Sequence, residues 1–167
     1  MKNIRKALRG LIFVTVVFSA ASSSAMAETY RSLEGVKGLD VVYDFRLTEP
    51  KVAALFLQLI HETYLDNDVR GMSRSPRFVV VVNAGAVKLV ARNQPGYSPE
   101  DQTYIDEIAD RIVQMAEDGI RFEGCLKAAE IFGVDHNLFI NEVNKVNNAW
   151  ISIAGYQAQS FAALPIN

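Results

Sequence analysis

Among its 167 residues the chain carries one cysteine, Cys125, and two histidines, His61 and His136. A metal site needs clustered His, Cys or carboxylate ligands, and neither histidine has a second one at helical spacing. We therefore expect no metal, with His61 on the surface of a helix and His136 in a turn beside Asp135. No G-x-S-x-G elbow accompanies the serines, and neither a G-x-G-x-x-G nor a Walker pattern occurs. Spacing alone leaves a Ser/His/Asp triad open, but no elbow motif suggests one, and Cys125 is the informative residue for covalent chemistry.

Cys125 stands where a short strand, Ile120 to Glu123, gives way to the first turn of a helix, Leu126 to Phe132, stopped by Gly133. Unpaired backbone N–H groups and the helix dipole at such a place favour an anion. For a cysteine that anion is the thiolate, its nucleophilic form. Lys127 adds positive charge nearby and Glu123 opposes it. The alternative is core packing, since free cysteine is among the most buried residue types. On the residues alone both readings stand.

The elements that must position this cysteine alternate along the chain. Leu39 to Phe45 is short and rich in β-branched residues, a strand. Pro50 suits the first turn of a helix, capped by Thr48 or Glu49, and Val52, Leu55, Phe56, Leu59, Ile60 and Tyr64 form its apolar stripe up to about Asp66 to Asp68. Phe78 to Val82 is apolar on both faces, as in a central strand of a parallel sheet, and Asn83-Ala84-Gly85 ends it. Ser98, Pro99 and Asp101 begin the next helix with a capping box; Ile105, Ile108, Ala109, Ile112, Val113 and Met115 face its core, and Gly119 closes it. After the segment around Cys125, a weaker strand is read at Asn144 to Val146. A helix follows from Trp150 to Gln159, capped by Asn147 or Asn148, then a last strand from Phe161 to Ile166. This alternation specifies βαβ units: a three-layer α/β/α sandwich around a mainly parallel sheet of about five strands.

Ligands of such sheets sit beyond the carboxyl ends of the strands. Here that edge is made by the residues around Asp44, Asn83 and Cys125. The turn Arg46-Leu47-Thr48-Glu49-Pro50 offers no glycine to cradle a phosphate, so no nucleotide or flavin cofactor is expected. The loop Arg92 to Tyr97 leaves the second strand on the crevice side, placed to act as a lid or as part of an oligomer contact. Arg70, Arg74 and Arg77 read as a solvated loop on the far side, and Trp150, Tyr156 and Phe161 as core or subunit-interface packing.

Composition narrows the setting. Half the residues are hydrophobic, enough for a packed core, and 17 Lys and Arg face 19 Asp and Glu, so nothing resembles the basic footprint of a nucleic-acid binder. Lys2, Arg5, Lys6 and Arg9, the apolar run Leu11 to Ala20, and Ala25-Met26-Ala27 follow the order of a secretory signal peptide. A membrane helix needs about 20 apolar residues, more than this run supplies. Cleavage after Ala27 would remove four basic groups and no acidic one, leaving an acidic periplasmic or secreted protein with no membrane insertion: an arm at 28–38 and a domain at 39–167.

Gly124-Cys125-Leu126-Lys127-Ala128-Ala129-Glu130-Ile131-Phe132-Gly133-Val134 resembles the C-x-x-A-A-x-x-x-G-[IV] segment of the DsrE/TusD sulfur-relay proteins. The stretch from about Leu39 to Ile166 is similar to exported members of the wider DsrE/DsrF-like family. The similarity includes Val79 to Gly85 followed by Ala86-Val87-Lys88-Leu89, the approach Ala116 to Ile120, and Tyr156 to Ala162 at the close. The chain departs from its relatives at Ile131-Phe132, where the relay proteins often have basic residues, and at Asn83, where many have a histidine; the relay proteins are also cytoplasmic. The resemblance implies a flavodoxin-like, DsrEFH-like subunit assembling into homo-oligomers such as trimers or hexamers, with a cysteine after the third strand that carries sulfane sulfur as a persulfide. On that reading Cys125 is the acceptor and Asn83, beside Gly85, hydrogen-bonds the incoming group. Lys88 or Lys127 supplies charge, a donor or acceptor protein completes the relay, and no cofactor is required. The alternative function is a non-catalytic oligomeric binding or scaffold module with a structural cysteine.

Overall fold

The computed structural model describes residues 30–167; the expected signal peptide lies outside the described residues. The strands are β1 (Asp40–Phe45), β2 (Arg77–Val82), β3 (Arg121–Cys125), β4 (Val143–Val146) and β5 (Ala162–Ile166). The helices are α1 (Pro50–Leu65), α2 (Asn67–Arg70), α3 (Pro99–Glu117), α4 (Leu126–Ile131) and α5 (Ala149–Ala158), with a 3-10 turn at Ala84–Val90. All five strands are parallel, in the order β4-β3-β2-β1-β5. β2, apolar from Phe78 to Val82, takes the middle of the sheet, where both faces are covered.

Register divides the sheet residues between two layers of helix. Val41, Phe78, Val80 and Phe122 share one face, on which Tyr64 of α1 meets the Phe78 ring edge-on and α1 packs against α3. Val81 and Glu123 share the other with Asp44, and α5 lies across β1, β2 and β3 there. This is the three-layer α/β arrangement expected from the alternation of elements. Local signals set the helix starts: Glu49 accepts from the N–H groups of Lys51 and Val52 ahead of Pro50, and Ser98 and Asp101 form the reciprocal capping box of α3. Gly119 ends α3 with φ +104°, a conformation costly for any residue with a Cβ.

Three expectations are corrected. The buried face of α1 carries Ala53, Ala54, Leu57, Ile60, His61 and Tyr64, whereas Val52, Leu55 and Leu59 are exposed. A helix apolar around most of its circumference leaves periodicity unable to choose a face, and the small side chains Ala53 and Ala54 let it approach its neighbours closely. The rotation takes His61 with it. Rather than lying on the surface, His61 is buried with its Nε2 2.6 Å from Asp118 Oδ2 at the end of α3. Arg74 and Arg77 are exposed as expected, but Arg77 begins β2 rather than lying in the loop, and both grip Asp40 at the start of β1: Arg74 makes contacts of 2.7 and 2.8 Å, Arg77 contacts of 3.0 and 2.6 Å. Arg70 stands over the Tyr64 ring.

Candidate functional site

Along the carboxyl edge of the sheet, the connection from β3 and the connection from β4 part company. The former runs through α4, which packs on the 3-10 turn beside α3; the latter crosses to α5 on the opposite face. Neighbouring strands whose connections diverge leave a crevice between them, the usual ligand position of open parallel sheets. Cys125 ends β3 at this point and is also the N-cap of α4.

Two backbone N–H groups donate to its sulfur. Ala128 in the first turn of α4 and Ala149 at the start of α5 each lie 3.3 Å from Sγ. The two segments are tied together by the Lys127 N–H donating to the Asn147 carbonyl, and Asn148 caps α5 through the Trp150 N–H. Cys125 is 3% exposed, yet it forms part of the wall of a cavity of about 290 Å³. Its polar lining is Arg46, Asn83, Lys127 and Asn148. Ala84, Ala128, Ile131, Phe132 and Trp150 make the apolar remainder. A second cavity, about 400 Å³, lies at the other end of the strands between Tyr30, Leu39 and Leu59 and includes no cysteine.

Of the residues expected at the site, Cys125, Asn83 and Lys127 line the cavity together. Asn83 extends β2, its N–H bonded to the Phe45 carbonyl, and its Oδ1 accepts from the Ala84 N–H at 2.7 Å. Ala84 then takes φ +51°, a turn that few residues with a Cβ adopt, at the cavity wall. Lys127 is exposed and pairs with Glu130, which raises its ammonium above the usual lysine range. Gly85 and Lys88 are not among the lining residues. A Cβ on Gly85 would come within 2.7 Å of Thr48 Cγ2, so its smallness serves the close approach of the loop after β1. Lys88 stands 6.0 Å from the centre of the Phe132 ring, behind the cavity wall.

Sequence reasoning missed Arg46, Ile131, Phe132, Asn148 and Trp150. Arg46 follows β1 on the same edge as Asn83, a placement that could have identified it. Trp150 is 71% exposed at the cavity, so the core-packing reading of this residue is corrected. The loop Arg92 to Tyr97 contributes no residue to the cavity; Arg92 and Asn93 border α3 instead.

Two residues before Cys125 and on the same face, Glu123 is buried under α5. Its Oε1 accepts from Arg121 at 2.7 Å and from the Tyr156 hydroxyl at 2.8 Å. Burial alone would push this carboxyl up, but the hydrogen bonds, led by Arg121, outweigh it and hold it below the usual range. Glu123 therefore stays an anion, bound into this polar cluster. Among the described residues no three His, Cys, Asp or Glu side chains gather to hold a metal ion, and no helix is long and apolar enough to cross a membrane.

No family model and no curated protein matches the sequence. Solved structures do resemble it in fold. A protein of unknown function from Methanobacterium thermoautotrophicum, MTH1491, superposes with a TM-score of 0.58 at 17% identity, over 76% of this chain and 98% of that one. A conserved protein of unknown function from Bacteroides thetaiotaomicron, BT1422, does so with a TM-score of 0.52 at 19% identity, over 76% and 94%. At these identities the likeness establishes the three-layer α/β fold that the chain shares with both.

Proposed function

We propose that this protein is an exported, cysteine-dependent sulfur carrier in which Cys125 accepts sulfane sulfur as a persulfide and hands it to a partner. One observation carries this reading: Sγ receives two backbone N–H bonds while forming part of a cavity wall, so the sulfur is held in place where a donor can reach it. In the loading step the thiolate attacks the outer sulfur of a donor persulfide. The new bond joins that sulfur to Sγ, and the donor leaves as its own thiolate. A single cysteine has no resolving thiol within the chain, which suits transfer to a second protein. The resemblance of the Cys125 segment to DsrE-like relay proteins and the amino-terminal signal pattern support a periplasmic or secreted setting and homo-oligomeric assembly.

A second reading, an oligomeric scaffold with a structural cysteine, draws on the exposure of Ile131, Trp150 and Ile151 around the start of α5. Intact mass of protein recovered from the cell envelope separates the two. A gain of one sulfur atom, about 32 Da, lost on reduction and absent from Cys125→Ala, establishes loading. Unmodified mass after sulfur-rich growth, together with a native thiol that reagents reach only after unfolding, overturns the carrier reading.

A further inference from the structure

We propose, resting on the carrier reading, that the Cys125 cavity takes its sulfur from a small sulfane-sulfur anion of the thiosulfate class, bound by the Asn83 amide and the Arg46 guanidinium.

Asn83 supplies the observation independent of the cysteine. It is 9% exposed, and its Oδ1 is occupied by the Ala84 N–H, which fixes the orientation of the amide and turns the Nδ2 group the other way. Nδ2 has no hydrogen-bond partner among the described residues, and it is not sealed from solvent. The residue lines the cavity that Cys125 helps to wall, so its amide belongs to the same crevice. A donor open to solvent at a cavity wall can exchange its water for an acceptor that arrives from outside.

Arg46 brings the charge. Its guanidinium is 43% exposed and spends one of five donors on Asp44, and it lines the same cavity with Lys127. The carboxylates that pair with these two cations, Asp44 and Glu130, are not among the residues that line the space. Free N–H donors, a guanidinium and an ammonium make a setting for a compact dianion. Access argues against a donor displayed on a folded surface. With Sγ 3% exposed, the donor must enter a volume of about 290 Å³, at the small end of ligand pockets, which a free ion does without bringing a backbone along.

The chemistry balances without a further reactant. The Cys125 thiolate attacks the outer sulfur of thiosulfate and a new S–S bond forms. The bond from that sulfur to the sulfonate group breaks with its electron pair, sulfite leaves, and the persulfide anion remains on Cys125.

The test uses the folded full-length protein. Incubation with thiosulfate is expected to add about 32 Da at Cys125 and to release one sulfite for each sulfur gained. Iodoacetate and iodoacetamide probe the anion site separately. The ratio of their alkylation rates at Cys125 should exceed that of a free thiol, fall about tenfold in Arg46→Gln and recover in part in Arg46→Lys, in keeping with the loss of a charged hydrogen bond. Should Arg46→Gln not fold, protection of the wild-type thiol from iodoacetamide by sulfate replaces that arm. Reaction with iodoacetamide but no sulfur gain from thiosulfate overturns this inference and leaves the carrier reading intact with another donor. A thiol that neither reagent reaches in the folded protein overturns both. An unchanged ratio in Arg46→Gln, or no protection by sulfate, removes the anion site.

Discussion

Ala149 donates its backbone N–H to Cys125 Sγ across 3.3 Å, so the residue that begins α5 is fastened to the residue that ends β3. Ala128 donates to the same sulfur from the other side, at the same distance. The thiol is thus a structural acceptor as well as the candidate nucleophile.

That double role predicts how substitutions at the site rank. Cys125→Ala leaves the Ala128 and Ala149 N–H groups without their acceptor and should cost about 1–3 kcal/mol. Cys125→Ser keeps an acceptor and should cost less. Urea unfolding of the two variants checks the order; equal losses would show that the sulfur holds neither helix.

At the opposite end of the strands, Asp40 sets an acid dependence. Hydrogen bonds from Arg77 lead, burial opposes them, Arg74 adds to them, and together they hold the carboxyl at about 2 against the ordinary 3.8. A carboxyl lower in the folded state stabilises fully above its unfolded value and loses that contribution as pH falls toward its folded one. The stability advantage of wild type over Asp40→Asn should therefore shrink from about pH 4 down to about pH 2. Thermal melts across that window measure it, and two parallel curves would contradict the assignment.

Two glycines near the site should differ when each becomes alanine. A Cβ on Gly124 would sit 2.6 Å from Phe139 Cε2 and 2.9 Å from Val143 Cγ1, both side chains buried. Overpacking of this kind costs about 1–3 kcal/mol. A Cβ on Gly85 meets the methyl of Thr48, whose residue is exposed and can turn aside. Gly124→Ala should therefore be the more damaging, and Phe139→Leu should restore part of it. Chemical denaturation of the three variants decides.

The face of α1 is open to the same kind of check. Leu57 is buried and Leu55 exposed, so Leu57→Ala should cost about 2–5 kcal/mol and Leu55→Ala under about 1 kcal/mol. The reverse order would return α1 to the orientation suggested by its apolar stripe.

The order of strands and helices was legible in the residues because it rests on local physics. Pro50 and Glu49, Ser98 with Asp101, Gly119 and the all-apolar Phe78 to Val82 each act within a few positions of themselves, and each element falls within a residue or two of its expected bounds. The placement of Cys125 at the end of a strand belongs to the same class. What the residues left open was decided at a distance. His61 is buried because α1 turns Ala53, Ala54 and Leu57 inward, a choice settled by packing against α3 and the sheet. Asp40 finds Arg74 and Arg77 across more than thirty residues, and Arg46, Asn83 and Trp150 meet Cys125 only because parallel pairing sets the ends of β1, β2 and β3 side by side. Periodicity shows that a face exists; which groups share a cavity depends on strand order and register, and these become fixed when the layers close.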